Sequence, residues 1–201
     1  MKINLSNAGK RFNREWIFRH AEVSFEKGFH TALTGPNGSG KSTFLQCVAG
    51  MLDLSEGSMQ FSGITNDKAY NSISFCAPYL ELIEEMTLTE FFEFHSAFKP
   101  LLPGIEIKNM IEEITLQAAH HKQIRYFSSG MKQRARLAQA VFSNTEVVLL
   151  DEPCSNLDDK GIALYHSLIE KYCSDRVVVV CSNDPVEYSF CERMVKITDY
   201  K

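Results

Sequence analysis

Residues 35–43 bring together the residue types that can hold a chain of phosphates. Glycines let the backbone turn so that successive N–H groups face an anion. A lysine supplies positive charge for the β- and γ-phosphates, and a serine hydroxyl is placed to ligate Mg²⁺. An apolar run, residues 29–34, precedes this stretch and a helical pattern follows it, which is the context that a phosphate-binding loop needs. The candidate nucleotide-binding residues are Gly35, Pro36, Asn37, Gly38, Ser39, Gly40, Lys41, Ser42 and Thr43.

An acidic pair follows a second apolar run, residues 147–150. Consecutive aliphatic residues indicate a strand buried on both faces, as in parallel sheets. Asp151 then stands at the carboxyl end of that strand, where open α/β sheets place their ligands, and we expect it to hold Mg²⁺ through its water shell. Glu152 is the candidate general base that polarises an attacking water. A solvated acidic turn is the alternative, which the phosphate-binding loop disfavours.

Further segments carry a resemblance to a known family. Residues 127–134 read Phe-Ser-Ser-Gly-Met-Lys-Gln-Arg, residues 155–158 read Ser-Asn-Leu-Asp, and residues 50–63 match the stretch that follows the first helix in that family. In this order, and over essentially the whole chain, they resemble the nucleotide-binding subunits of ATP-binding cassette (ABC) transporters. The resemblance implies an α/β fold: a P-loop NTPase core with a mostly parallel sheet, N-terminal antiparallel strands and an inserted helical subdomain.

The domain organisation follows from the same resemblance. We expect a single ABC ATPase domain over residues 1–201, with a core lobe of residues 1–77 and 141–201 and a helical signature lobe of about residues 78–140. Within the helical lobe, the apolar pattern predicts helices over residues 89–98 and 107–118, separated by a segment that contains Pro100 and Pro103.

The signature segment implies a partner subunit. Ser128 can cap the helix that follows it, and the free N–H groups of the first turn would form a second anion site. In the family two subunits pack head to tail, so that each signature closes over the ATP of the other. The resemblance thus assigns nucleotide contacts to Ser128, Ser129, Gly130 and Asp158. It implies a second ABC subunit, as a homodimer or a heterodimer, and a separate transmembrane permease subunit.

Three places depart from the family pattern; the signature has Ser129 for the first Gly and Met131 for Gln, which are milder changes than the other two. The family's glutamine, which touches Mg²⁺ and relays to the membrane partner, corresponds to Pro78 or Tyr79. Since proline has neither an amide side chain nor an N–H, that contact is missing or is replaced by Tyr79. Where the family has a histidine that contacts the γ-phosphate, this chain has Asn183, which can donate a hydrogen bond but cannot carry charge. We expect Asn183 to slow catalysis; a rebuilt site in which Tyr79 and Asn183 divide the missing roles is the alternative.

Several aromatic residues have two interpretations. Phe12 best matches the spacing of the family's adenine-stacking aromatic, and Trp16 is the second candidate, with a place in the hairpin core as its alternative. Residues 79–98 are the expected docking face for the membrane partner, because they are more apolar than an outlying lobe requires. The aromatic residues of this segment either belong to that face or fill the helical core; they are Phe91, Phe92 and Phe94.

Composition and charge exclude some classes of partner and indicate the cellular compartment. The formal net charge of -4 shows no basic excess, which argues against a nucleic-acid partner. No apolar run reaches the ~20 residues needed to span a bilayer, and the first residues do not resemble a signal peptide. The 6 cysteines lack metal-like spacing, so we expect buried, reduced thiols. These features favour a cytoplasmic protein, and the resemblance implies that it lies peripherally at the inner face of the cell membrane, through its permease.

The sequence therefore predicts a Mg²⁺-dependent ATPase that powers a separate membrane permease. One alternative is a non-transport ABC ATPase that uses ATP-driven dimerisation for assembly or regulation. Another is a degenerate, slow ATPase paired with an active subunit, which Pro78 and Asn183 favour. A neighbouring gene that encodes a membrane-spanning protein would favour transport over the first alternative. The transported substrate and its direction would be determined by the membrane partner.

Overall fold

The computed structural model describes residues 1–63 and 66–201, with the side chains of residues 66–68 outside the description. The strands are β1 (Lys2–Phe12), β2 (Glu15–Glu26), β3 (His30–Thr34), β4 (Glu56–Phe61), β5 (Ile73–Cys76), β6 (Val147–Asp151), β7 (Val177–Cys181) and β8 (Arg193–Lys196). The α-helices are α1 (Lys41–Val48), α2 (Leu88–Phe98), α3 (Ile107–Glu113), α4 (Ser129–Val141), α5 (Asp159–Tyr172) and α6 (Pro185–Tyr188). Short 3-10 helices cover Asn66–Ser72, Gln117–Ala119, Ile124–Tyr126 and Ile197–Tyr200.

Two sheets form the core of the molecule. The antiparallel sheet has the strand order β2-β1-β4, and the other sheet has the order β5-β6-β7-β3-β8 with every pairing parallel. All residues of β6 and β7 are buried, as expected for central strands that are covered on both faces. This arrangement confirms the predicted mixed α/β fold; the predicted division into lobes stays a prediction.

Helix α1 packs between the two sheets. Its Phe44 is fully buried, and the Phe44 ring lies 4.9 Å from the Phe18 ring and 6.4 Å from the Phe25 ring, both on β2. Aromatic pairs at these distances add to the stability that burial of their area supplies. The start of α1, where the phosphate-binding loop ends, is therefore fixed by aromatic packing against the antiparallel sheet.

The helices on the other side of the parallel sheet share a second core. It includes Phe92 of α2, Met110 of α3, Leu137 of α4 and Tyr165 of α5, each with 0% exposure. Helix α2 begins with a capping box, in which Thr87 and Glu90 satisfy each other's backbone N–H groups. The predicted helix over residues 107–118 is wrong at its end. Helix α3 stops at Glu113 because Thr115 adopts a left-handed backbone, with φ of 57°.

The same core decides between the two interpretations of the aromatic residues on α2. Phe91 and Phe92 are buried, at 4% and 0% exposure, whereas Phe94 is 45% exposed. Phe91 and Phe92 therefore fill the helical core and do not belong to an exposed face. All 6 cysteines lie in the described chain and are free; five are buried and Cys191 is half-buried.

A half-buried histidine, His95, joins α2 to α4. The Gln139 side-chain amide donates to His95 Nδ1 at 3.0 Å, so Nε2 carries the proton and donates to Ser143 Oγ at 2.8 Å. Ser143 Oγ in turn donates to the Gln139 carbonyl at 2.6 Å. Burial, together with the nearby Lys99, lowers the pKa of His95 to about 4. In a protonated ring Nδ1 would carry an N–H as well, and this donor would face the donor of Gln139. The network therefore requires neutral His95.

The network predicts a loss of stability in mild acid. The pKa of His95 is about 4 in the folded protein and 6.5 in the unfolded chain. The contribution of neutral His95 to the free energy of unfolding is therefore complete above pH 6.5 and falls as the pH drops towards 4. Between pH 7 and pH 5, His95→Gln should lose about 1 kcal/mol less unfolding free energy than the unmodified chain. This value allows for the partial solvation of the ring, which weakens the effect. Urea unfolding across this pH range measures it, with the exposed His20→Gln as control. Parallel pH profiles for His95→Gln and the unmodified chain would contradict the prediction.

Candidate nucleotide-binding site

The phosphate-binding loop connects β3 to α1 and depends on a glycine at the helix start. Gly40, the residue before α1, has a φ of 99°, which disfavours residues with a side chain. A Cβ at Gly40 would also lie 2.3 Å from Ile17 Cγ2, too close for two carbon atoms. No side chain caps α1, so the N–H groups of its first turn remain available. An uncapped helix start of this kind attracts anions.

A cavity of about 280 Å³ opens above this loop. The Lys41 ammonium at its base is bonded to the Gly35 carbonyl at 2.7 Å and to the Pro36 carbonyl at 3.2 Å. These contacts hold a buried charge in place without neutralising it, which suits the attraction of an anion. The structure brings several of the predicted residues together around this cavity, and adds Ile17 to them. The lining residues are Ile17, Asn37, Gly38, Gly40, Lys41, Ser42, Thr43 and Glu152.

The acidic pair lies at the carboxyl end of β6, at the same edge of the sheet. Asp151 pairs with Cys181 of β7, and the Glu152 N–H donates to the Cys181 carbonyl at 2.9 Å. Glu152 then turns out of the strand with a φ of 44°, an uncommon conformation for a residue with a side chain. This turn exposes the Glu152 carboxylate and brings it to the wall of the cavity.

Two buried polar atoms at this end of the sheet have no hydrogen-bond partner within the described residues: Asp151 Oδ1 and Ser39 Oγ. Asp151 is 2% exposed, and an unpaired carboxylate oxygen at such a position is unfavourable unless a cation or an ordered water satisfies it. Carboxylate and hydroxyl oxygens are the ligands that Mg²⁺ prefers. The unsatisfied Asp151 oxygen therefore fits a Mg²⁺ ion, and Ser42, which lines the cavity, stays the predicted second ligand.

A tyrosine and a glutamine link the two sides of this candidate cation site. The Tyr79 hydroxyl donates to Asp151 Oδ2 at 3.0 Å and accepts from the Gln46 side-chain amide, also at 3.0 Å. Gln46 lies one helical turn beyond Ser42, on the same face of α1. The sequence analysis named Tyr79 but missed Gln46. Its spacing of four residues from Ser42 is the signal that could have found it.

Asn183 also reaches the phosphate-binding loop. It follows β7, and its side-chain amide donates to Asn37 Oδ1 at 2.6 Å. Asn37 lines the cavity, so this hydrogen bond places Asn183 beside the expected phosphate positions.

The chain beyond Glu152 is held from two directions. The Pro153 carbonyl accepts from the buried Gln133 amide of α4 at 2.8 Å, and the Cys154 N–H donates to Glu187 Oε1 of α6 at 2.8 Å. Burial raises the pKa of Glu187, against the opposing effect of hydrogen bonds from Ser182 and the Cys154 N–H. Sequence reasoning missed Gln133 and Glu187, because neither carries a motif role that spacing reveals.

The signature residues lie elsewhere in the protomer. Ser128 Oγ caps α4 by accepting from the Met131 N–H at 3.3 Å, and a Cβ at Gly130 would lie only 2.9 Å from the Asn156 carbonyl. Ser128, Ser129 and Gly130 are not among the described residues that line the cavity. Asp158 caps α5 by accepting from the Gly161 N–H at 2.8 Å. Among the described residues of one protomer, the contacts of Ser128, Gly130 and Asp158 are structural.

The two candidates for base stacking differ in their surroundings. Phe12 lies at the end of the β1–β2 hairpin with 46% exposure and has the Lys10 ammonium 5.1 Å from its ring. The Trp16 ring is already covered, because the Arg19 and Arg11 guanidinium groups lie 4.4 and 5.6 Å from it. These contacts favour Phe12, whose ring keeps an accessible face.

Comparison with known proteins places this site in a family. The family model described as "ABC transporter" matches residues 18–155, which is more than half of the chain. The chain belongs to the ABC transporter family. This membership confirms the predicted resemblance; the family's description names transport, and the relatives' names add ATP binding.

The curated ABC relatives include proteins of similar length and longer ones. The uncharacterised ABC transporter ATP-binding protein YybJ of Bacillus subtilis is 29% identical over 198 residues, covering 94% of this chain and 89% of that protein. The B. subtilis protein YxlF, described in the same words, is 36% identical over 155 residues, covering 72% of this chain and 52% of its own length. The match to YxlF thus spans about half of that relative.

Solved ABC structures share the fold. A putative ABC transporter ATP-binding protein from Pyrococcus furiosus superimposes with a TM-score of 0.87 at 20% identity, over 100% of both chains. A dimeric post-hydrolysis state of an ATP-binding cassette bound to ADP and Pi gives a TM-score of 0.84 at 23% identity, over 97% of this chain and 94% of that one. At these identities the likeness shows the fold alone. Across the described residues of our protein, the helices are too short or too polar to cross a bilayer.

Proposed function

We propose that this ABC family member binds and hydrolyses ATP to power a separate membrane permease. The observation that carries the proposal is the shared cavity, in which Lys41 and the open start of α1 face the carboxylate of Glu152. A site for phosphates and a candidate general base at one wall are the minimum that phosphoryl transfer to water requires. The protein would lie in the cytoplasm, at the inner face of the membrane beside its permease.

Each residue has a distinct proposed role. The N–H groups of the phosphate-binding loop and Lys41 bind the phosphates, and Asn183 holds the γ-phosphate or the water through its amide. Ser42 and Asp151 hold Mg²⁺, which when bound neutralises charge on the phosphate oxygens. Glu152 accepts a proton from the attacking water. Phe12 stacks on the base.

The second half of the site comes from another ABC subunit in this proposal. Ser128, Ser129 and Gly130 begin α4 away from the cavity of their own protomer, so they can serve a nucleotide only across an interface. The dimeric state of the ADP- and Pi-bound cassette supports this arrangement by analogy of fold. Binding energy from ATP would then contribute to dimerisation.

The division of roles between Lys41 and Glu152 is testable. Lys41→Ala should weaken ATP binding about 10- to 100-fold, the scale of a lost hydrogen bond to a charged group. Glu152→Gln should bind ATP normally and lower turnover by about 10²- to 10⁴-fold, because only the proton acceptor is removed. With Mg-ATP present, Glu152→Gln should also sediment as a dimer, while Lys41→Ala should remain a monomer.

Equilibrium nucleotide binding, steady-state turnover and analytical ultracentrifugation measure these effects. Glu152→Gln without nucleotide is the matched control for dimerisation. An equal loss of ATP affinity in both variants would contradict the division of roles, and an unchanged mass for Glu152→Gln would contradict the shared site.

The permease would dock on the loop after β5. This loop exposes Tyr79 and Ile83, at 48% and 37%, beside a cavity of about 550 Å³. The cavity is lined by Pro78, Tyr79, Leu80, Glu81, Leu82, Glu84, Glu85, Lys132 and Arg136. Apolar side chains within a rim of mixed charge, where Lys132 pairs with Glu84 and Arg125 with Glu85, fit a short amphipathic segment of the permease.

Substitution in this groove should uncouple the subunit from its permease. In the assembled transporter, Ile83→Glu should lower ATP turnover to the basal rate of the isolated subunit, because a buried charge opposes docking. The basal rate itself should not change. Met194→Glu is the matched control, since Met194 is also exposed but lies on β8, at the opposite edge of the sheet from β5. An equal fall in the basal rate would show that Ile83 is structural.

Asn183 supports the slow-ATPase alternative. A neutral amide provides little stabilisation for the charge that spreads over the phosphate oxygens in the transition state. Asn183→His should raise turnover by about 10- to 100-fold, corresponding to ~1–3 kcal/mol for one preorganised donor. Steady-state turnover at the same Mg-ATP concentration measures it. A slower histidine variant would mean that the hydrogen bond from Asn183 to Asn37 belongs to a working alternative arrangement.

A further inference from the structure

The hydrogen bonds of Tyr79 have only one possible direction. The Gln46 side-chain nitrogen is a donor, so the Tyr79 oxygen accepts from it at 3.0 Å. The single hydroxyl proton of Tyr79 must then point to the other neighbour, Asp151 Oδ2, at 3.0 Å. Gln46 therefore orients the hydroxyl, and the hydroxyl donates to the carboxylate.

This contact divides the two oxygens of Asp151 between different tasks. Oδ2 is held by Tyr79, whereas the buried Oδ1 accepts no hydrogen bond from the N–H and O–H groups of the described residues. The Cys181 thiol also lies against this carboxylate. A carboxylate that is held at one oxygen cannot rotate freely, so the direction of the other oxygen is defined. Hydrogen bonds to a metal-binding group commonly tune its affinity in this way.

Tyr79 is itself held as a donor. Its hydroxyl lies between the Gln46 amide, which can only donate to it, and the Asp151 carboxylate, which can only accept from it. The backbone beside it is fixed, since the Leu80 carbonyl accepts from Arg136 Nε at 2.7 Å and the Leu80 N–H donates to the Ala77 carbonyl at 3.1 Å. The ring is thus anchored through its neighbour and does not depend on Asp151 alone for its place.

We propose that Tyr79 is a positioning residue for the cation site, and that its Gln46-oriented hydroxyl holds Asp151 so that Oδ1 faces Mg²⁺. The inference rests on the proposed function, because it assumes that Ser42 and Asp151 serve Mg²⁺-nucleotide. The cation site needs a fixed hydrogen-bond donor beside Asp151. Tyr79 supplies this donor, and the Gln46 side-chain amide orients it. Since Tyr79 also borders the docking groove, a permease that moves this loop would alter the hold on Asp151.

The test is the Mg²⁺ dependence of nucleotide binding, which needs no turnover. ADP affinity is measured by calorimetry in excess EDTA and in saturating Mg²⁺, and the ratio of the two affinities reports the contribution of the cation. Tyr79→Phe keeps the ring and removes only the hydroxyl. It should reduce the ratio about tenfold, the lower end of the range for partners of metal ligands, and leave the affinity in EDTA unchanged. Gln46→Met should reduce the ratio by a smaller factor, because the hydroxyl then loses its orientation but remains present.

Tyr126→Phe is the matched control, since it removes a hydroxyl from a tyrosine that is 62% exposed, and it should leave the ratio unchanged. An unchanged ratio in Tyr79→Phe would overturn the inference, because the contact would then be only a tie between loops. An increased ratio would also overturn it and show that the hydroxyl competes with the cation. If the unmodified protein binds ADP neither with nor without Mg²⁺, the proposed function fails instead.

Discussion

The parallel alignment of three buried strands is the constraint on which the candidate site depends. Strand β7 lies between β3 and β6, with Leu33 and Asp151 both paired to Cys181. Because β6 and β7 are buried on both faces, their backbone N–H and C=O groups must pair with each other. The carboxyl ends of parallel strands meet at one edge, so the phosphate-binding loop, the acidic pair and Asn183 arrive there together.

The position of Glu152 then depends on both sides of the molecule. The chain after it is bonded to Gln133, in the helical layer, and to Glu187, which follows β7 in the core. The uncommon backbone of Glu152 is kept in place by these neighbours, since such a conformation persists only where its surroundings determine it. Any shift of α4 against the parallel sheet would therefore act on the candidate general base through Pro153.

The two larger departures from the ABC pattern have partners of their own in the structure. Tyr79 reaches Asp151 and Asn183 reaches Asn37, so both side chains touch residues of the candidate site. A proline at position 78 removes an N–H but leaves the following tyrosine free to point inwards. The departures are therefore consistent with a site that is rearranged around them.

Much of the fold and the candidate site could be predicted from the sequence, because motifs depend on local chemistry. Glycine spacing around Lys41, the aliphatic run before Asp151 and the serine before α4 each predict a local structure without knowledge of the rest. The sequence by itself thus determined the fold class, the family and the order of the motifs. Helix α3 ends before the predicted position because the backbone turns at Thr115. The sequence has no glycine or proline there that would have predicted the turn.

Only the tertiary structure decided which distant side chains meet. Gln46 and Tyr79 are 33 residues apart, and Tyr79 and Asp151 are 72 apart, so no local pattern links them. Burial likewise separated Phe92, which fills the helical core, from Phe94, which is exposed, although both are aromatic residues of one helix. The physical reason is that hydrogen bonding and burial depend on the packing of whole elements, whereas a sequence pattern reports only the preference of each element by itself.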